Sequence, residues 1–160
     1  MRVKGVTFED FVNYKEPSMF IAMPECSFKC EKECGLRCCQ NSELAKAPDI
    51  EVDDDSLIER YLNNHITRAV CFGGLEPMDS FRDVIRFITA LRVKHHCLDT
   101  IVIYTGYNKE EIQLQVEQLK WLGGDIVVKY GRFRPNQKSH HDNVLGVNLA
   151  SDNQYAERII

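Results

Sequence analysis

The sequence predicts an α/β fold built on a mostly parallel sheet covered by helices. Strand-like and helix-like segments alternate at least three times along the chain, an order typical of βαβ units with right-handed crossovers. The strand-like segments are continuous apolar runs, as expected for strands buried on both faces. At 160 residues, the chain is long enough for one core, so we expect a single domain over residues 1–160.

Apolar runs mark the predicted strands. The main ones are residues 18–23, 68–72, 100–104 and 125–130. The first run stops at Pro24 and leads directly into a cysteine-rich segment. A shorter run at 144–147 predicts one last strand.

Three segments between these runs predict helices, each opened by a capping pair and followed by apolar residues on one face. The capping residues are Ser56, Ser80 and Asn108, with Glu59, Asp83 and Glu111 three positions later. We expect the first helix to run through about Asn63 and the third to end at Gly123-Gly124.

Composition and charge exclude several classes of protein. A formal net charge of −4 gives no general electrostatic footprint for nucleic acid. No stretch approaches the roughly 18 consecutive apolar residues of a membrane span, and the residues after Met1 do not form the apolar core of a signal peptide. We therefore expect a cytoplasmic protein that binds neither membranes nor nucleic acid.

The cysteines depart from this ordinary pattern. Of seven cysteines, five lie close together: Cys26, Cys30, Cys34, Cys38 and Cys39. Because cytoplasmic thiols stay reduced, an odd number of cysteines indicates a metal or redox site rather than a disulfide framework. Spacing alone leaves three alternatives: structural zinc on the first four of these cysteines, an iron–sulfur cluster held by three cysteines, and a redox dithiol.

The unusual segments all follow predicted strands. They are the cysteine loop at residues 24–41 and the segments 73–77, 105–107 and 129–134. Ligands of parallel α/β sheets bind beyond the carboxyl ends of the strands. We therefore expect one functional site at that edge of the sheet.

Two of these segments resemble motifs of the radical S-adenosylmethionine (SAM) enzymes. Cys26 and Cys30, with Cys39 before Gln40-Asn41, resemble the cluster loop of that superfamily, and Gly73-Gly74-Leu75-Glu76-Pro77 resembles its Gly-Gly-Glu-Pro loop. The chain departs from the superfamily in two respects. Eight residues separate Cys30 from Cys39 where two are usual, which leaves Cys34 or Cys38 open as the third ligand, and Leu75 is inserted in the glycine loop.

Further segments narrow the resemblance to the small activating enzymes of anaerobic ribonucleotide reductase. Residues 10–13, 104–107 and 151–154 resemble segments of that subfamily in the same order, and the similarity covers about residues 8–156. The resemblance implies a truncated, partial (β/α) barrel. It also implies a 4Fe-4S cluster on Cys26, Cys30 and Cys39, with one open iron that binds SAM.

The resemblance also implies where SAM binds. The implied residues are Gly73, Gly74, Glu76, Thr105, Gly106, Lys129 and Asn153. Glycines 73 and 74 would let backbone carbonyls approach the amino group of SAM without a Cβ in the way. Lys129 belongs to a basic cluster with Arg132, Arg134 and Lys138, for which recognition of the SAM carboxylate, an acidic patch on a partner and a solvated loop all stay open.

The implied activity is reductive cleavage of SAM to a 5′-deoxyadenosyl radical, with no catalytic side chain beyond the cluster and the SAM site. In the activating enzymes, the radical abstracts hydrogen from a glycine of a large reductase subunit. A flavodoxin or ferredoxin type protein would supply the electron. Two alternatives are a radical SAM enzyme acting on a small molecule and a zinc-stabilised binding module.

Overall fold

The computed structural model describes all residues, 1–160. Ten strands form, and their bounds are β1 Arg2–Val3, β2 Gly5–Asp10, β3 Ser18–Met23, β4 Ile50–Glu51, β5 Ala69–Gly74, β6 Thr100–Tyr104, β7 Ile126–Tyr130, β8 His140–Asp142, β9 Val147–Leu149 and β10 Tyr155–Arg158. The α-helices are α1 Lys29–Cys34, α2 Ser42–Lys46, α3 Asp54–Leu62, α4 Phe81–Thr89 and α5 Gln113–Lys120. Short 3-10 turns occupy Pro77–Ser80 and Lys109–Glu111, and a π turn at Ala90–Lys94 extends α4.

Six strands form the central sheet in the order β10-β7-β6-β5-β3-β2. The four inner strands are parallel to one another, while β2 and β10 pair antiparallel at the two edges. The predicted α/β fold with a mostly parallel sheet is confirmed. The sheet is mixed and open at both edges, and the strand pairing does not confirm the implied partial barrel.

Different layers cover the two faces of the sheet. Helices α3, α4 and α5 pack on one face, where Phe72 of β5 meets Phe87 of α4 and Ile103 of β6 lies in the same core. The opposite face holds the alternate strand residues, including Cys71 and Val102, and is covered by Tyr14 and by the segment around Leu145. The inner strands are therefore buried on both faces, which explains their continuous apolar sequences.

Several predicted element ends are wrong. The run at 144–147 is mostly a turn between β8 and β9, because Asp142 accepts the N–H groups of Val144 and Leu145 at 2.9 Å. Helix α3 begins before Ser56: Asp53 is its cap and accepts the Ser56 N–H at 2.8 Å.

The other two helix starts differ in their outcome. Ser80 makes no capping hydrogen bond, because the chain enters α4 through the 3-10 turn. The third capping pair forms, since Glu111 accepts the Asn108 N–H at 2.8 Å, but it opens the 3-10 turn Lys109–Glu111, and α5 begins only at Gln113.

None of the helices combines the length and the apolar character needed to cross a membrane.

Candidate functional site

A cavity of about 490 Å³ opens beyond the carboxyl ends of β3, β5, β6 and β7. Nine of the ten residues predicted for the site line it: Cys26, Cys30, Cys39, Gly73, Gly74, Glu76, Thr105, Gly106 and Lys129. The exception is Asn153, whose amide donates to the Arg132 carbonyl at 2.8 Å, while its neighbour Gln154 reaches the cavity wall. The volume is in the range of small-molecule and cofactor sites.

The fold divides the five clustered cysteines into two groups. Cys26, Cys30 and Cys39 line the cavity. The other two, Cys34 and Cys38, lie outside its lining, and their sulfurs are 2.6 Å apart. The structure therefore brings together the three cysteines that the resemblance assigns to a cluster and pairs the two that it does not.

No three Cys, His, Asp or Glu side chains converge closely enough to hold a single metal ion. A 4Fe-4S cluster is held by cysteine thiolates bound to separate iron atoms. The Cys26 sulfur accepts the Phe28 N–H at 3.2 Å. Hydrogen bonds to sulfur are one means by which proteins set the reduction potential of a cluster.

Burial keeps two of these thiols protonated when no metal is bound. Desolvation, reinforced by the nearby carboxylates of Glu76 and Asp79, raises the pKa of Cys26 to about 11. Desolvation and the neighbouring Cys39 raise the pKa of Cys30. Metal-binding thiols must lose their protons, so occupation of this site is coupled to proton release.

Asp79 fixes the start of the cysteine loop. Its carboxylate accepts the Ser27 N–H at 2.7 Å and the Tyr107 hydroxyl at 2.6 Å. Asp79 lies in the 3-10 turn after β5, and Tyr107 lies in the loop after β6. The Asp79 side chain therefore joins three loops. In the sequence, the only sign of this role is the position of Asp79 two residues after Pro77.

The glycine loop packs closely on both sides. The Asn41 amide donates to the Gly74 carbonyl at 2.5 Å, so Asn41, two residues after Cys39, ties the cysteine loop to the glycine loop. Gly74 has a φ of 82°, and a Cβ there would lie 2.8 Å from the Cα of Ala22. In this structure Asn41 already occupies the Gly74 carbonyl, and close packing against β3 requires glycine.

Glu76 connects the loops that follow β5 and β6. Its buried carboxylate accepts the Thr105 hydroxyl at 2.7 Å, the Gly106 N–H at 2.8 Å and the Met78 N–H at 2.9 Å. Burial raises the pKa of this carboxyl, while the three hydrogen bonds oppose that rise. Glu76 therefore shapes the wall of the cavity through bonds to its neighbours.

Lys129 is a buried cation without an ion pair. Its side chain lines the cavity, the residue is 7% exposed, and its ammonium donates only to the Gly131 carbonyl, at 2.8 Å. Desolvation lowers the pKa of Lys129 to about 8, although the charge of Glu76 opposes this. A buried ammonium of this kind is costly unless an anion meets it.

The rest of the predicted basic cluster has other surroundings. Arg132 forms ion pairs with Glu111 at 2.6 Å and with Glu33 at 3.2 Å. Arg134 and Lys138 are exposed. Among the four basic residues, only Lys129 offers the cavity an unpaired charge.

One comparison with known proteins gives a match. The family model described as "4Fe-4S single cluster domain" matches residues 18–155, from the start of β3 to the start of β10. The matched range contains the whole cysteine loop and every residue predicted for the site. No curated protein and no solved structure matches this chain.

Proposed function

The chain belongs to the 4Fe-4S single cluster domain family, and we propose that it is a radical SAM enzyme. The proposal depends on the residues that line one cavity at the carboxyl edge of the mostly parallel sheet. These are three cysteines, a glycine-rich loop and a buried lysine without an ion pair.

Cys26, Cys30 and Cys39 are the proposed cluster ligands. Three thiolates leave one iron without a protein ligand, as binding of a substrate or cofactor at that iron requires. The bound cluster supplies the electron that cleaves a carbon–sulfur bond of SAM. The task of the protein is then to hold SAM against that iron and to exclude competing reactions.

Lys129 is the proposed partner of the SAM carboxylate. SAM carries a carboxylate on its methionine portion, and the Lys129 ammonium has no acidic side chain paired with it. An ion pair formed at so buried a position gains strength from the low local dielectric constant. Gly73 and Glu76 contribute to the wall against which the rest of SAM would lie.

We further propose that the substrate is a glycine of a large reductase subunit. Three segments support this, since they resemble the activating enzymes of anaerobic ribonucleotide reductase and meet around the cavity. Asn13, Tyr104 and Gln154, one from each segment, all line it. A flavodoxin or ferredoxin type protein in the cytoplasm would deliver the electron.

Product analysis tests the proposal. The protein, purified and loaded with iron and sulfide under nitrogen, should release 5′-deoxyadenosine and methionine from SAM when dithionite is added. Replacing any one of Cys26, Cys30 or Cys39 with Ala should remove both the cluster and the activity, while Cys97→Ser, a change away from the cavity, should remove neither. A wild-type protein that holds its cluster but releases no 5′-deoxyadenosine would contradict the proposal.

The substrate class needs a separate measurement. Incubation with the large reductase subunit, SAM and dithionite should produce a glycyl radical signal in the electron paramagnetic resonance spectrum of that subunit. Release of 5′-deoxyadenosine without any signal on the protein partner would favour the alternative of a small-molecule substrate.

A further inference from the structure

Two cysteines of the loop have no part in the proposed function. Cys34 and Cys38 lie outside the cavity lining, and their sulfurs approach to 2.6 Å. Both side chains are half-buried. The structure thus holds two adjacent, partly accessible thiols next to the cluster loop.

The local backbone explains this pairing. Helix α1 ends at Cys34, and Gly35, with a φ of 68°, reverses the chain while its N–H donates to the Glu31 carbonyl at 2.9 Å. The Cys38 N–H then donates to the Leu36 carbonyl at 3.0 Å. This tight turn returns Cys38 to the end of the helix, so the two sulfurs meet without any change elsewhere in the fold.

The surface beside Cys34 can admit a small anionic molecule. A second cavity of about 300 Å³ is lined by Cys30, Glu33 and Cys34 from α1 and by Phe133, Arg134 and Pro135 from the segment after β7. Arg134 is exposed, and Glu33, the acid in the same lining, forms its ion pair with Arg132. The Arg134 guanidinium therefore offers a carboxylate a partner in the cavity that Cys34 lines.

We propose that Cys34 and Cys38 form a thiol–disulfide exchange site that reacts reversibly with a low-molecular-weight disulfide carrying carboxylates, such as oxidised glutathione. The Cys34 sulfur attacks one sulfur of the external disulfide, whose sulfur–sulfur bond breaks and releases one thiol. Cys38 then displaces the second thiol and closes the Cys34–Cys38 bond. The two cysteines lose two electrons and two protons, and the external disulfide gains both.

The bond would restrain the chain between two proposed cluster ligands. Cys34 and Cys38 lie within the segment that joins Cys30 to Cys39, and a cross-link there reduces the freedom of that segment. This effect on the cluster ligands rests on the proposed function, whereas the exchange reaction does not depend on it.

The test uses the full-length, cluster-loaded protein under nitrogen, equilibrated with mixtures of reduced and oxidised glutathione. Acid quenching, alkylation and tryptic digestion follow. Trypsin cleaves after Arg37, between the two cysteines, so a Cys34–Cys38 bond joins peptide 33–37 to peptide 38–46. Because the second peptide also contains Cys39, fragment ions identify which of its two cysteines carries the bond. We expect the joined peptides to increase with the oxidised fraction, while iron content stays constant and Cys97 stays alkylated.

Matched variants decide the assignment. Cys38→Ser should retain wild-type iron content and accumulate a glutathione adduct on Cys34, because the second displacement is blocked. Cys39→Ser should lose its iron. Failure of the joined peptides to form at any ratio would overturn the proposal, and so would loss of iron in Cys38→Ser, which would make Cys38 a ligand. Joined peptides in a protein that cleaves no SAM would overturn the proposed function and leave the exchange site standing.

Discussion

The hydroxyl of Thr105 donates a hydrogen bond of 2.7 Å to the carboxylate of Glu76. Both residues are buried, and they belong to loops that follow neighbouring parallel strands. The bond therefore fixes the relative position of two walls of the cavity. Every group that forms a hydrogen bond with the Glu76 carboxylate is a donor. Both side-chain oxygens of residue 76 must therefore accept hydrogen bonds.

Glu76→Gln tests that requirement. The amide would place an N–H₂ group against a backbone N–H or the Thr105 hydroxyl, so a buried donor would lose its partner. We expect the free energy of unfolding to fall by about 1–3 kcal/mol, measured by urea denaturation. Glu51→Gln, at an exposed position in β4, is the matched control and should change little. Equal stabilities of the two variants would contradict this role for Glu76.

Gly74→Ala should destabilise the fold through contact with β3. The new Cβ would lie 2.8 Å from the Cα and Cβ of Ala22, and the φ of 82° is itself unfavourable for alanine. Gly123→Ala is the matched control, because Gly123 has a φ of 70° but nothing within 4 Å of the added Cβ. The control should cost about 1–2 kcal/mol from backbone strain alone.

The difference in the free energy of unfolding between the two glycine variants measures the cost of the close contact between position 74 and β3. Overpacking should lower the free energy of unfolding of Gly74→Ala by about 1–3 kcal/mol more than that of Gly123→Ala. Urea denaturation of both proteins in the same metal state measures this difference. If Gly74→Ala proves no less stable than the control, close packing is not what requires glycine at position 74.

Lys129→Met should weaken SAM binding while keeping a side chain of similar length. Loss of a charged hydrogen bond worth about 1.5–3 kcal/mol corresponds to roughly a 10- to 100-fold increase in Kd. Isothermal titration calorimetry under nitrogen measures this, and Lys138→Met, at an exposed cation of the same segment, should leave Kd unchanged. An unchanged Kd for Lys129→Met would remove Lys129 from the SAM site.

The same lysine predicts a pH dependence. Burial lowers the pKa of Lys129 to about 8, so the free protein loses this positive charge as pH rises above that value. SAM binding to the wild type should therefore weaken between about pH 8 and pH 10. Lys129→Met should lack this decrease, and an identical pH profile for the two proteins would contradict the assignment.

The ion pair between Arg132 and Glu111 should stabilise the protein in a pH-dependent way. The hydrogen bond from Arg132 lowers the pKa of Glu111 to about 2, so its contribution is present above the ordinary Glu pKa and is lost as pH falls towards 2. Allowing for solvent screening, Glu111→Gln should lose roughly 1 kcal/mol at pH 7. That difference should shrink steadily below about pH 4.5, and Glu110→Gln, at the exposed neighbouring acid, should show neither effect.

The sequence predicted the inner part of the sheet well for a physical reason. Strands buried on both faces must be apolar throughout, so β3, β5, β6 and β7 stand out as continuous runs. The edge strands β2 and β10 are only partly buried, and their mixed sequences carry no such signal. The β8–β9 hairpin was missed for the same reason, since its strands are three residues each and partly polar.

The sequence predicts which residues line the candidate site where their types and their order along the chain are sufficient to identify them. The local turn at Gly35 pairs Cys34 with Cys38, and the spacing of the cysteines does not encode which of the five then share the cavity. The link from Asn41 to the Gly74 carbonyl and the link from Asp79 to Tyr107 join residues at least 28 positions apart. Contacts at such separations leave no periodic pattern in a single sequence.

We propose that Cys26, Cys30 and Cys39 hold a cluster whose open iron binds SAM. The most direct test is the electron paramagnetic resonance spectrum of the protein, purified without oxygen, loaded with iron and sulfide and reduced with dithionite, recorded with and without SAM. We predict a reduced-cluster signal that changes when SAM is added. A sample that stays colourless and silent after iron and sulfide loading and contains zinc would contradict it, and would assign the cysteines a structural role.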